Sequence, residues 1–248
     1  RKVQKLMNLM NMETVHVAWD FLKENGLKAL ILKSKHKIQG IDDDYDYAEW
    51  WNLTKPSEEE LEEQKKKKFD YMPKFSIVIP VYKTPEKFLK EMLDSIVEQT
   101  YANWELCIAD GSPAGESVEN VLKKYAEKDA RIRYQVLGEN RGISGNTNAA
   151  LEMAEGDFIV LADHDDRLTP NALFECAKKL NENENCDVLY SDEDKLDMDG
   201  DELFDPHFKP DFNPDLLTSV NYICHLFVVK KELLDKVGGF RPEYDGAQ

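Results

Sequence analysis

From Phe75 onward the chain alternates short apolar runs with longer amphipathic ones, and that rhythm limits the possible folds more than any other feature. FSIVIP, WELCIAD, IRYQVL, DFIVLAD and DVLYSDED each read as a strand. The segments between them read as helices. One carries Phe88, Leu89, Met92, Leu93 and Ile96 on a single side, and the next carries Val118, Val121, Leu122 and Tyr125. A third, ISGNTNAALEMAEG, is rich in small residues. Thr84-Pro85 and Thr169-Pro170 read as N-cap and first-turn pairs. Strand and helix in alternation predict βαβ units, hence an α/β fold with a mostly parallel sheet flanked by helices. Ligands of such sheets sit at the carboxyl ends of the strands.

Those ends carry the chemistry. The first strand runs into Pro80-Val81-Tyr82-Lys83-Thr84, the second into Asp110-Gly111-Ser112, and the third into GENRGISGNTN. The fourth ends in Asp163-His164-Asp165-Asp166, and the fifth in Ser191-Asp192-Glu193-Asp194. All five ends are expected on one edge of the sheet, lining one crevice. Carboxylates as close as Asp163, Asp165 and Asp166 repel one another and raise each other's pKa. A divalent cation offsets that repulsion, and hard oxygen ligands suit Mn2+ or Mg2+. Plainer readings exist for single residues: Asp110 as a loop cap, Asn146 and Asn148 as backbone caps, and 191–194 as a solvated turn.

Other functions are excluded by what the first turn lacks. No G-x-G-x-x-G follows the first strand, against a dinucleotide site, and no G-x-x-x-x-G-K-[ST] loop occurs in the sequence. The balance of 49 Asp and Glu against 32 Lys and Arg argues against a nucleic-acid partner. Cys107, Cys176, Cys186 and Cys224 form no C-x-x-C pair and read as reduced thiols in apolar surroundings. No apolar run approaches the ~20 residues of a membrane span.

Composition shifts near residue 72, dividing a helical N-terminal extension and linker (1–72) from an α/β domain (73–248). Val3, Leu6, Met7 and Met10 share a helical face, and Gly26 ends a second run. Residues 27–38 are basic and offer a peripheral contact with an anionic membrane, although a solvated helix is the plainer reading. Trp50 and Trp51 are expected to anchor the linker. SEEELEEQKKKK reads as a charged helix with Glu-to-Lys pairs.

FSIVIPVYKT, LCIADGS, NRGISGNTNAAL, VLADHDDRLTP and VGGF together resemble the family-two glycosyltransferases of GT-A fold, over about residues 73–248. YSDEDK, FKPDFNPDLL and NYICHLFVV further resemble the bacterial subgroup that builds cell-surface polysaccharides. The resemblance implies a metal-dependent, inverting hexosyl- or rhamnosyltransferase, cytoplasmic or at the inner membrane face. It would move sugar from a UDP- or dTDP-sugar to a glycan or lipid-linked acceptor. Pro80, Val81 and Tyr82 would pack on the nucleobase and ribose, and Asp110 would accept from the pyrimidine N–H. Gly142 and Asn146 would line the nucleotide. Asp163-His164-Asp165 matches the family's D-x-D. Asp165 would ligate the metal, Asp163 would join it or contact the ribose, His164 would act as a spacer on the donor side, and Asp166 would meet a sugar hydroxyl.

The base that deprotonates the acceptor is an Asp shortly after GGF in that family. Here the sequence reads VGGFRPEYDGAQ to Gln248, so the base is expected beyond that residue and the chain is expected to be a piece truncated at its C-terminus. Asp192, Glu193 and Asp194 are the weaker candidates. Two other functions compete: a non-catalytic nucleotide-sugar-binding module, and a sugar nucleotidyltransferase.

Overall fold

The computed structural model describes residues 47–200 and 202–246. The expectations for residues 3–10, Gly26 and the basic stretch 27–38 lie outside the described residues. Two compact units are present. The first comprises the described parts of 1–56 and 194–206, and the second those of 57–193 and 207–248.

In the first unit, helix α1 (Tyr47–Thr54) stacks Tyr47 on Trp50 at 5.5 Å between ring centroids. The Tyr47 hydroxyl donates to Asp194 at 2.6 Å. This unit also holds most of a two-stranded hairpin, β6 (Glu193–Leu196) and β7 (Leu203–His207).

In the second unit, helix α2 (Glu58–Lys66) begins with a reciprocal cap between Ser57 and Glu60, as its sequence S-x-x-E dictates. A six-stranded sheet follows, in the order β3-β2-β1-β4-β8-β5. Its strands are β1 (Phe75–Val81), β2 (Trp104–Asp110), β3 (Ile132–Val136), β4 (Phe158–Leu161), β5 (Val188–Tyr190) and β8 (Phe227–Lys230). Strand β1 pairs in parallel with β2 and β4, and β8 lies antiparallel between β4 and β5. All five strands expected from the sequence therefore point the same way, and their carboxyl ends share one edge. The antiparallel β8 was not expected. DVLYSDED also divides: its first part forms β5, and Glu193 opens the separate hairpin.

The alternation of side chains along β1 builds a three-layer core. Phe75, Ile77, Ile79 and Val81 face α3 (Glu86–Val97), α4 (Glu119–Ala126) and α6 (Ala172–Glu182). Val78 faces the other way with Cys107, Ala109 and Ile159, against α5 (Gly142–Leu151) and α7 (Lys231–Val237). Both faces of the sheet are covered, so its strands read as unbroken apolar runs. Two expected caps differ. Pro85 itself is the N-cap of α3 and the Thr84 hydroxyl is buried without a partner, while Asn171 rather than Thr169 precedes α6. All four cysteines are free, and Cys224 is exposed rather than apolar-packed.

At the opposite edge of the sheet, buried Glu105 joins the strands electrostatically. It accepts from Lys74 Nζ at 2.7 Å, Ser76 Oγ at 2.6 Å, Arg133 at 2.7 Å and the Glu155 N–H at 2.6 Å. Burial pushes its carboxyl up, but the hydrogen bonds from Lys74, Ser76 and Glu155 outweigh it and hold the pKa below the ordinary value. A depressed folded-state pKa contributes stability above the unfolded value, and that contribution is lost as pH falls through the folded one. Glu105→Gln should cost about 3 kcal/mol near neutral pH. This is the low end for a broken buried pair, because Lys74 and Arg133 keep 33% and 37% of their side chains exposed and can rehydrate. Urea unfolding measured across pH should show the gap between wild type and variant closing as pH drops below the unfolded glutamate value.

Candidate functional site

The order β3-β2-β1-β4 reverses direction at β1: the chain builds outward through β2 and β3, then returns to place β4 on the other flank of β1. Such a reversal opens a crevice at the carboxyl edge, where the two crossovers diverge.

On the β1–β2 side, Val81 pairs with Asp110 in register, and the Gly111 N–H donates to the Val81 carbonyl at 2.9 Å. Tyr82 then emerges 40% exposed, with Lys83 Nζ 5.5 Å from its ring centre. Lys83 has a left-handed backbone, φ 51°, held by its N–H on Ser112 Oγ at 2.8 Å. Strain of this kind persists only where the surroundings fix it. Pro80 is half-buried and Val81 fully buried, so of the three residues expected at the nucleobase Tyr82 is the one that presents surface.

Asp110 closes β2 at the base of the loop that follows. It is fully buried, and its carboxylate accepts from the Ser112 N–H at 2.9 Å, Ser117 Oγ at 2.7 Å and the Val118 N–H at 3.2 Å. It shapes the loop after β2. Asn146 is likewise a shaping residue. Its amide accepts from the Arg141 N–H at 3.1 Å and donates to Asn140 at 3.0 Å. Gly142, at φ 75°, opens α5, and the Asp245 carboxylate accepts from the Ser144 N–H at 3.1 Å. Asn148 exchanges two hydrogen bonds with the Phe240 backbone, at 2.7 and 2.9 Å, and so ties GGF to α5.

Beyond β4 the acidic run forms a tight turn. The Asp166 N–H donates to the Asp163 carbonyl, and the Asp163 N–H to the Asp166 carboxylate, each at 3.3 Å. A turn closed between residues i and i+3 brings those two side chains together and leaves i+2 outside. Asp163 and Asp166 accordingly converge, while Asp165 is 54% exposed and has His164 Nδ1 3.5 Å away. The third member of the cluster was not foreseen. His225, just before β8, places Nε2 3.1 Å from Asp163 and 4.0 Å from Asp166. Donor atoms of Asp163, Asp166 and His225 all lie within 4.8 Å of one another.

The electrostatics are those of an enclosed anionic cluster. The hydrogen bond from His225 holds Asp163 below the ordinary carboxylate range. Burial pushes Asp166 up, and the neighbouring charge of Asp163 adds to the shift. For His225 burial works downward, but the bond to Asp163 prevails and raises the imidazole above its ordinary value. Two carboxylates and one imidazole could hold a divalent cation. The buried Nδ1 of His225, on the side of the ring away from the acids, has no hydrogen-bond partner. The one sequence signal for His225 was its place in CHLF, directly before an apolar run.

Of the expected bases, Asp192 accepts the Lys209 N–H at 2.7 Å, and Glu193 meets Lys209 Nζ and His207 Nδ1, each at 3.1 Å. Within the first unit Asp194 is taken by Tyr47.

A mostly parallel sheet with an acidic cluster at its carboxyl edge, beside the switch point, is an architecture of GT-A type. Residues 76–238 match the family described as Glycosyl transferase family 2, and the chain belongs to that family. It is 36% identical over 203 residues to the O-antigen biosynthesis protein RfbC of Myxococcus xanthus, covering 82% of this chain and 16% of that protein. It is 43% identical over 176 residues to the uncharacterized protein y4gI of Sinorhizobium fredii, covering 71% of this chain and 19% of that one. The chain thus spans less than a fifth of the length of either relative. The crystal structure of S. aureus TarS 1-349 in complex with UDP superposes with a TM-score of 0.56 at 25% identity, over 70% of this chain and 52% of that one.

Gly111 tests the packing of the loops. A Cβ there would sit 2.6 Å from Asn146 Nδ2 and 2.8 Å from its Oδ1, and that amide is anchored at both ends. Gly111→Ala should destabilise the chain by about 1–3 kcal/mol, read by denaturant unfolding.

Proposed function

We propose that the chain binds a nucleoside-diphosphate sugar, UDP- or dTDP-linked, at the carboxyl edge of its sheet. It then transfers the sugar, with inversion, to a hydroxyl of a glycan or lipid-linked acceptor during polysaccharide assembly. The observation that carries this reading is the convergence of Asp163, Asp166 and His225 at the end of β4, beside the switch point. Membership of the family, and likeness to a protein crystallised with UDP, support the class of donor.

Asp163, Asp166 and His225 would hold Mn2+ or Mg2+, and that cation supplies neutralising charge to the diphosphate as it leaves. Tyr82 offers the nucleobase an exposed aromatic face. Asp110 and Asn146 keep the loops around it in one shape, so little ordering remains for donor binding to impose. In the reaction an acceptor oxygen forms a bond to the anomeric carbon from the face opposite the diphosphate. The bond to the diphosphate oxygen breaks with its electron pair, and the acceptor proton passes to a general base. Glu193 suits that role poorly. Its burial is overcome by bonds from His207 and Lys209, which hold its carboxyl below the ordinary range. We assign the base to none of Asp192, Glu193 and Asp194.

Calorimetric titration with UDP tests the donor site. Mn2+ should tighten UDP binding by about tenfold or more, within the usual span of coupling between two ligands. Asp163→Ala should remove that enhancement while leaving the unfolding transition in place. Equal UDP affinity with and without Mn2+ in the unaltered chain would contradict the reading.

A further inference from the structure

Lys209 has entered so far only as a partner of Asp192 and Glu193, yet its side chain is wholly buried, at 0% exposure. An ammonium taken out of water is costly unless each of its donors is met. Here all three are met. Nζ donates to Glu193 Oε2 at 3.1 Å, to the Ile223 carbonyl at 2.6 Å and to the His225 carbonyl. Glu193 completes the arrangement from the other side, its Oε2 accepting the His225 N–H at 3.3 Å. The two members of one ion pair thus grip the two polar groups of one residue's backbone. The neighbours extend the grip: Asp192 accepts the Lys209 N–H, and Ser191 exchanges hydrogen bonds with Leu226 at 3.2 and 3.3 Å. Three stretches distant in sequence, SDED, HFKPD and ICHLF, meet at His225.

We infer that Lys209 and Glu193 are a positioning pair that aims the His225 imidazole at Asp163 and Asp166. Residues 221–226 form no regular helix or strand, so no ladder of backbone bonds fixes this segment. The Cα–Cβ direction of His225 is set instead by what holds its N–H and carbonyl. A buried pair adds little net stability compared with apolar packing. Its value here is geometric, since groups that orient a ligand side chain govern how well the site holds its metal. The inference rests on the cation reading above, and its test separates the two.

Mn2+ alone is the probe, its binding to the full chain followed by electron paramagnetic resonance, with urea unfolding of every variant alongside. His225→Ala should weaken Mn2+ binding. Lys209→Met and Glu193→Gln should each weaken it about tenfold or more. In a His225→Ala background the same two changes should cost nothing further, because the ligand they orient is gone. Equal weakening in both backgrounds would mark general disruption and overturn the inference. Unchanged affinity in Lys209→Met and Glu193→Gln, with His225→Ala still weakened, would overturn the pair's role and leave the cation reading standing. No effect of His225→Ala would remove the cation reading and the inference together. Should Lys209→Met fail to fold, Glu193→Gln keeps the side-chain volume and carries the same comparison by itself.

Discussion

The molecule depends on one strand being satisfied on both edges. β1 takes parallel hydrogen bonds from β2 on one flank and β4 on the other, and its residues are buried on both faces. That pairing fixes where three strand ends stop. Val81 lies level with Asp110, and β4 runs alongside β1 before the acidic turn. A slip of one residue would send Phe75, Ile77 and Ile79 to the opposite face. The side chains of Tyr82 and Asp163 would then project from different positions on the edge. The precision of the site is thus borrowed from the core.

Charge is handled in opposite ways at the two edges of the same sheet. Glu105 is surrounded by Lys74, Arg133, Ser76 and a backbone N–H, a completed set that joins strands. Asp163 and Asp166 converge with one imidazole between them, and burial works against the second carboxylate. One cluster is finished within the protein. The other leaves burial working against Asp166, as fits the cation proposed for it.

The core elements were legible because a sheet covered on both faces writes itself as unbroken apolar runs, as in FSIVIPV, where one residue alone is not fully buried. The paired acids at the end of β4 were legible as a cluster. Their geometry was not, since D-x-D suggests partners two apart, whereas the turn joins Asp163 to Asp166. His225 comes from 62 residues farther along the chain, and no local pattern links it to Asp163. β8 escaped notice because four residues, FVVK, are too few for a periodic signal. Asp110 could be read as base-binding or loop-capping from sequence, and its three internal hydrogen bonds show the capping role. The burial of Lys209 leaves no mark in the sequence, because burial of a charge depends on partners contributed by distant segments.

The most direct measurement of the central claim is anomalous diffraction at the manganese edge from crystals grown with Mn2+ and UDP. The account predicts a single strong peak within coordinating distance of Asp163, Asp166 and His225, at the carboxyl edge beside β1. A peak held by Asp165 away from His225, or none at this edge while UDP is bound, would contradict it.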